Sequence, residues 1–219
     1  MRYGECLKVT TRYVSITAQL AIASPTHSHL VLTRILDLHP AHRPTLPVHL
    51  SCMQQLPNMR SRLFLLAHEL VENEPDDAIS WYAVGLWYFA GKRWEESRRF
   101  FGCVFSSLTR SRNLSLIQTS RLILTRKSVL IDPRFGPAWL AYAHSFAFEG
   151  EHDQAITAYS TAHRHLSGSH LPLLFIGMQH LGLSNVLLAE EYLLAAKELC
   201  KEDPLVLNEL GVVCVHNEE

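Results

Sequence analysis

Residues 136–169 read GPAWLAYAHSFAFEGEHDQAITAYSTAHRHLSGS, and this stretch decides the fold. Trp139, Tyr142, Ala143 and Phe146 recur at intervals of three and four, as do Ala155, Tyr159 and Ala162, so each set lies along one face of a helix. Gly150 punctuates the turn between the two helices, and Pro133 precedes the pair. The pattern is periodic. Trp139, Leu173 and Leu207 are spaced by 34 residues, and each is followed four positions later by a small residue, Ala143, Gly177 or Gly211. A period of 34 with a large residue filling the space between helices and a small one permitting close approach is the tetratricopeptide repeat. The expected fold class is all-α: a tetratricopeptide-repeat α-solenoid, a right-handed superhelix of antiparallel helix pairs.

Working outward, an equivalent unit begins near Ala78, with Trp81, Val84, Gly85 and Tyr88, a turn at Gly91, then Ser97 and Phe101. A weaker unit starts around Pro44, with Leu50 and Ser51 followed by Leu63, Ala67 and Leu70. Its first helix is poorly signalled. Downstream, Leu173, Ile176 and Gly177 pair with Ala189, Leu193 and Ala196, and a further unit starts at Leu207. Leu207, Leu210, Val213 and Val215 form an apolar face where a solenoid end is expected to carry a polar cap, so the sequence is expected to stop inside a repeat.

Two segments break the lattice. Trp81 and Trp139 are 58 residues apart, 24 more than one period, and deleting Cys103–Arg126 restores the second-helix pattern of the Ala78 unit. Tyr13–Thr33 contains no charged residue, and removing it fuses Cys6–Arg12 with Arg34–Pro40 into one helix. Both segments read as inserted, with translated intron sequence as the expectation and real loops or added helices as the competing one. In the second of these, Arg110–Arg126 would form a basic surface helix. The expected organisation is therefore the end of an upstream repeat over 1–40, interrupted at 13–33; two repeats over 41–102; an insertion at 103–126; and two full repeats with a partial one over 127–219.

Composition narrows the function classes. The 219 residues are 47% hydrophobic, enough for a continuous core, and the formal net charge is −1 from 20 basic and 21 acidic residues. That balance provides no field to steer the chain toward nucleic acid or an anionic membrane. Neither partner is expected. The apolar run Trp81–Ala90 is about half the roughly 20 residues a membrane span needs. Five scattered cysteines form no CxxC pair, which points to reduced, structural thiols. His27 and His29 fall in the first irregular segment, and His163 and His165 point to different helical faces, so no metal site is expected. No P-loop, GxSxG, HExxH or dinucleotide fingerprint occurs, and Glu95, Glu96, Glu190 and Glu191 read as solvated faces. A binding protein without catalytic residues or cofactors is expected.

In such a solenoid the first helices line a concave groove. The positions pointing into it are Tyr82, Leu86 and Phe89; Leu140, His144 and Ala147; Leu171, Leu174, Met178 and Leu181; and Asn208 with Val212. This row is largely apolar and suits an amphipathic or extended peptide, since burial of apolar area yields about 25 cal/mol per Å². Many of these positions read equally well as ordinary packing between repeats. His144 reads either as a hydrogen-bonding group in the groove or as a structural histidine.

Several strings exceed generic repeat consensus: Arg62-Leu-Phe-Leu-Leu-Ala-His-Glu-Leu-Val71, Trp81-Tyr-Ala-Val-Gly85, Asp132-Pro-Arg-Phe-Gly-Pro-Ala-Trp139 with Leu140–Phe146, and Glu151-His-Asp-Gln-Ala155. Leu171-Pro172, Glu202-Asp-Pro204 and Gly211-Val-Val213 accompany them. On these residues the chain resembles the subunit-six family of the anaphase-promoting complex, or cyclosome, over about Pro40–Phe101 and from Lys127 onward. The resemblance implies a non-catalytic scaffold in a multi-subunit E3 ubiquitin ligase controlling mitosis, present in nucleus and cytoplasm. It implies partners among neighbouring subunits and a small accessory subunit whose terminal segment lies in the groove. Homodimerisation would run through a longer N-terminal array. The alternative is a chaperone adaptor that clamps client C-termini, which needs Lys, Arg or Asn where this sequence has Tyr82, Leu86, Leu140 and Leu174.

Overall fold

The computed structural model describes residues 25–38, 43–101, 132 and 134–218. Ten α-helices run through the described residues: α1 Pro25–Leu38, α2 Thr45–Gln55, α3 Arg60–Asn73, α4 Ala78–Ala90, α5 Trp94–Phe101, α6 Gly136–Ala147, α7 His152–His165, α8 Leu171–Gly182, α9 Val186–Leu199 and α10 Pro204–Glu218. A 3-10 turn, Pro57–Met59, leads into α3. No strand occurs among the described residues. The architecture is the all-α tetratricopeptide solenoid that the 34-residue period requires. None of the described helices is long and apolar enough to cross a membrane. The chain divides into two compact units, one up to Phe100 and one from Phe101.

In the first unit α1 packs on α2 through Leu32 and Cys52, both fully buried. Residues 25–33, the described part of the first irregular segment, are helical in one run with Arg34–Leu38. Leu32 in this run fills a core site. Residues 13–24 and 103–126 lie outside the described residues. Helix α2, weakly signalled by sequence, is nonetheless formed, with Leu50, Cys52 and Met53 buried. It lacks a strong apolar stripe, so packing against α1, α3 and α4 stabilises it more than its own propensity does. Helix α4 is apolar nearly all round and is buried accordingly. Its entry is fixed by polar bonds to the end of α3: the Ser80 hydroxyl lies 3.1 Å and 2.8 Å from the Leu70 and Glu74 carbonyls, and Trp81 Nε1 donates to the Pro75 carbonyl at 2.6 Å. The Leu70 and Glu74 carbonyls also accept the Glu74 and Asp77 backbone N–H groups, so the Ser80 hydroxyl adds to the turn that ends α3.

The turn joining the two helices of a repeat has one recurring feature. Lys92, Gly150 and Ser184 all adopt positive φ, at 59°, 79° and 60°. These are the same lattice position in three repeats. The sequence suggests Gly91 as the turn residue, but Gly91 has φ −82° and the left-handed conformation falls one residue later, on Lys92. Only glycine adopts it without steric cost, which for other residues is about 1 kcal/mol. Ser184→Gly is therefore expected to raise stability by about 0.5 kcal/mol after the extra freedom of the unfolded glycine is deducted, a rise of roughly 1–2 °C in the thermal midpoint. A lower midpoint would show that the Ser184 side chain contributes more than its strain costs.

In the second unit each helix pair closes on small residues. Ala143, Ala155 and Ala162 have no accessible surface, and Tyr159 packs between α6 and α7. At Gly177 a Cβ would stand 2.7 Å from Leu193 Cγ and 3.3 Å from the Ala189 carbonyl oxygen, so α8 and α9 approach as closely as glycine allows. Successive repeats are also joined by a polar link. His170 Nε2 lies 2.5 Å from Asp203 Oδ2, while Asp203 Oδ1 accepts the Leu205 N–H at 2.9 Å at the start of α10. The His170 and Asp203 side chains are only 4% and 11% exposed. Asp203→Ala is expected to cost about 2 kcal/mol, combining a lost helix cap with a buried histidine left without its acceptor. Urea titration of the variant checks this; a loss below about 0.5 kcal/mol would mean that water replaces the carboxylate.

Candidate peptide-binding face

The first-helix positions named from sequence divide into three environments. Tyr82, Leu86, Phe89 and Leu174 are buried within their own units, at 3%, 3%, 9% and 0% exposure. Leu140, His144 and Met178 are half-buried, and Asn208 is exposed. The half-buried group is the part of the row that combines a fixed position with an accessible surface. Leu140 packs on the α6–α7 core, and Met178 packs on the α8–α9 core beside Leu174. Asn208 Nδ2 donates to Glu209 Oε1 at 3.2 Å.

Tyr82 is tied down by its hydroxyl, 2.8 Å from Ser51 Oγ on α2, while Ser51 donates to the Pro47 carbonyl. Burial pushes the Tyr82 phenol up to about 12, against a smaller opposing pull from the Ser51 hydrogen bond. Tyr82 is thus a neutral strut between α2 and α4. Sequence periodicity had no means of finding Ser51, which lies in the preceding repeat.

His144 sits in an aromatic cluster. Its Nδ1 lies 2.7 Å from the Tyr159 hydroxyl, and its ring meets Phe175 edge-on at 4.5 Å and Tyr159 edge-on at 5.4 Å. Tyr159 and Phe175 stack at 5.5 Å, so α6, α7 and α8 meet through three rings. Burial depresses the His144 imidazolium to about 4. Burial likewise raises the Tyr159 phenol. Both groups are neutral at physiological pH. An imidazole with its proton on Nε2 accepts the phenol O–H at Nδ1, which leaves Nε2–H as the donor for anything outside the cluster. The missed partners here are Tyr159 and Phe175; the available signal was that a core tyrosine requires a hydrogen-bond partner for its hydroxyl.

The first unit also holds a shallow apolar recess of about 160 Å³ between α3 and α4, lined by Phe64, Ala67, His68, Val71, Val84, Trp87 and Tyr88. The Arg60 guanidinium stands over the Trp87 ring at 5.7 Å. No group of three or more His, Cys, Asp or Glu side chains able to hold a metal occurs among the described residues. What this face offers chemically is apolar contact with a few neutral, oriented hydrogen-bonding groups.

Comparison with known proteins adds an independent line. No protein-family profile matches the chain. It is 41% identical over 216 residues to the anaphase-promoting complex subunit cut9 of Schizosaccharomyces pombe, an alignment covering 99% of this chain and 27% of that protein. It is 40% identical over 174 residues to the anaphase-promoting complex subunit CDC16 of Saccharomyces cerevisiae, covering 80% of this chain and 18% of that one. The chain thus spans about a quarter or less of the length of these relatives. Among solved structures it is similar to the crystal structure of the APC/C hetero-tetramer Cut9-Hcn1, with a TM-score of 0.75 and 38% identity over 95% of this chain and 34% of that one.

Proposed function

The chain belongs to the family of anaphase-promoting complex subunit six, which includes cut9 and CDC16, and from that premise we propose that it is a non-catalytic scaffold segment of that complex. The complex is an E3 ubiquitin ligase controlling mitotic progression, and the chain's share is to hold neighbouring subunits in register. The observation that carries the reading is the identity of 41% across nearly the whole chain, which far exceeds what repeat consensus alone requires. The half-buried row of Leu140, His144 and Met178 is the surface we assign to the terminal segment of a small accessory subunit. Apolar contacts supply the affinity, and His144 Nε2–H gives the peptide backbone a donor. A homodimer would require further repeats of the kind the longer relatives have room for. The expected locations are nucleus and cytoplasm.

The alternative, a chaperone adaptor, requires Lys, Arg or Asn lining the groove, and Tyr82, Leu86, Leu140 and Leu174 stand at the corresponding positions. Affinity purification of the tagged protein followed by mass spectrometry separates the two. The expected result is recovery of cyclosome subunits, including a small one. Chaperones recovered without any cyclosome subunit would overturn the scaffold reading.

A further inference from the structure

Helices α1 and α2 meet through a pair of histidines. His29 and His49 are 6% and 7% exposed, and their rings stack with centroids 4.9 Å apart and planes 26° from parallel. His29, Leu32 and Thr33 lie along one face of α1 at intervals of three and four, and His49 with Cys52 does the same on α2. The apolar part of the contact is small: Leu32 on Cys52, with Val48 beside them. The two imidazoles are therefore a substantial part of what joins the helices.

Hydrogen bonds fix the tautomer of His49. The Thr33 hydroxyl donates its one proton to the His29 carbonyl at 2.8 Å, so toward His49 Nε2, at 3.4 Å, its oxygen can only accept. His49 thus carries its proton on Nε2. Nδ1 is then a lone-pair nitrogen, buried without a hydrogen-bond partner among the described residues. A second proton placed there would be a buried donor with nothing to receive it. Burial first, and then the positive charge of Arg62 on α3, disfavours the imidazolium of His29; burial, His29 and Arg62 together disfavour that of His49. Cys52 on α2 and Tyr82 on α4, the titratable groups nearby, are neutral, with burial raising the thiol to about 11 and the phenol to about 12. On α1 itself His27, Arg34 and Asp37 are exposed.

We propose that His29 and His49 form an acid-sensitive latch: in mild acid the charge that the stacked rings take up beside Arg62 releases α1 from α2, while α2, α3 and α4 stay packed. Above pH 6.5 the rings are neutral whether α1 is docked or free, and the contact is intact. Below it the free rings bind protons that docked His49 refuses until about pH 4, so docking weakens about tenfold per pH unit. His29 acts in the same direction. The latch is a local opening and is independent of the cyclosome reading.

In the 219-residue chain Cys52 reports the latch, since it has no accessible surface and packs against Leu32. A pyridyl disulfide that reacts with thiols in mild acid labels the chain, and mass spectrometry maps the sites. Labelling of Cys52 is divided by that of the exposed Cys214, which removes the intrinsic pH dependence of a thiol. The ratio is expected to rise about tenfold or more from about pH 7.5 to about pH 5.5. At the lower pH it should stay nearly flat in low urea, because a local opening exposes little surface. His29→Phe combined with His49→Phe keeps two stacked rings without a proton site, and its ratio should change less than about twofold over the same range. A parent ratio that does not rise, or an equal rise in the double variant, would overturn the proposal. So would a rise that steepens with urea, which would mean that the whole unit opens. Should the double variant lose the circular dichroism of the parent, the urea dependence of the parent decides alone.

Discussion

Gly177→Leu is expected to destabilise the second unit by about 3 kcal/mol, while the same substitution at Gly211 leaves the chain as stable as the parent or slightly more so. The two glycines occupy the same position in successive repeats, and both lie inside helices. Replacing glycine with leucine in a helix is by itself favourable, by about 0.8 kcal/mol. At Gly177 the first added carbon would meet Leu193 Cγ at 2.7 Å and Cδ2 at 2.9 Å, and Leu193 is fully buried with no room to retreat. Overpacking a filled core costs about 1–3 kcal/mol for modest additions, and a whole isobutyl group belongs at or beyond the upper end. The clash therefore outweighs the propensity gain. At Gly211 nothing stands within 4 Å, so only the propensity gain applies. Thermal denaturation of both variants should show a fall of roughly 10 °C for the first and a small rise for the second. Equal midpoints would mean that α9 can slide away from α8 at little cost, contrary to the close approach inferred from the small residue.

That contrast shows how the repeat pattern encodes the fold and where it stops. A large residue followed four positions later by a small one was enough to place α4, α6, α8 and α10, because the requirement is local to one helix and recurs at 34. The boundaries of α1 and α2 were less visible. Their stability comes from contacts such as Leu32 on Cys52, which depend on tertiary neighbours rather than on an amphipathic pattern. The turn conformation at Lys92 was hidden for a similar reason: the lattice imposes a left-handed residue there, and the sequence supplies one that tolerates the strain instead of favouring it. For the candidate face, periodicity named one set of positions on each first helix but could not separate depth from surface. Tyr82 and Leu174 share their helical positions with Leu140 and Asn208, yet the first two are buried and Asn208 is exposed. Whether a position is groove or core depends on the side chains of adjacent repeats, as Ser51 does for Tyr82 and Phe175 does for His144.

His144 makes the stability of the chain depend on pH between about 6.5 and 4. Its imidazolium is depressed to about 4 in the folded chain, because the ring is buried against Tyr159 and Phe175 with no carboxylate among these contacts, against an ordinary value of 6.5 in the unfolded chain. Above pH 6.5 both states carry a neutral ring, and the stability contributed by its packing is fully present. As pH falls below 6.5 the unfolded state takes up a proton that the folded state refuses, so stability declines by about 1.4 kcal/mol per pH unit until the folded ring titrates near pH 4. By pH 5 the expected loss from this residue is about 2 kcal/mol. His49 is also held down to about 4, by burial first and then by the charges of His29 and Arg62, and it acts in the same direction on the first unit. The window from 6.5 to 5 lies above the ordinary carboxylate range, so acid titration of Asp and Glu does not obscure it. His144→Phe keeps the ring contacts and removes the proton site, at the cost at neutral pH of an unpaired Tyr159 hydroxyl, about 1–3 kcal/mol. Urea unfolding of both proteins at pH 7.5 and pH 5 should therefore give a variant that is less stable at the higher pH but loses less on acidification. A variant that loses as much as the parent would assign the acid sensitivity to His49 and other histidines and leave His144 without a role in it.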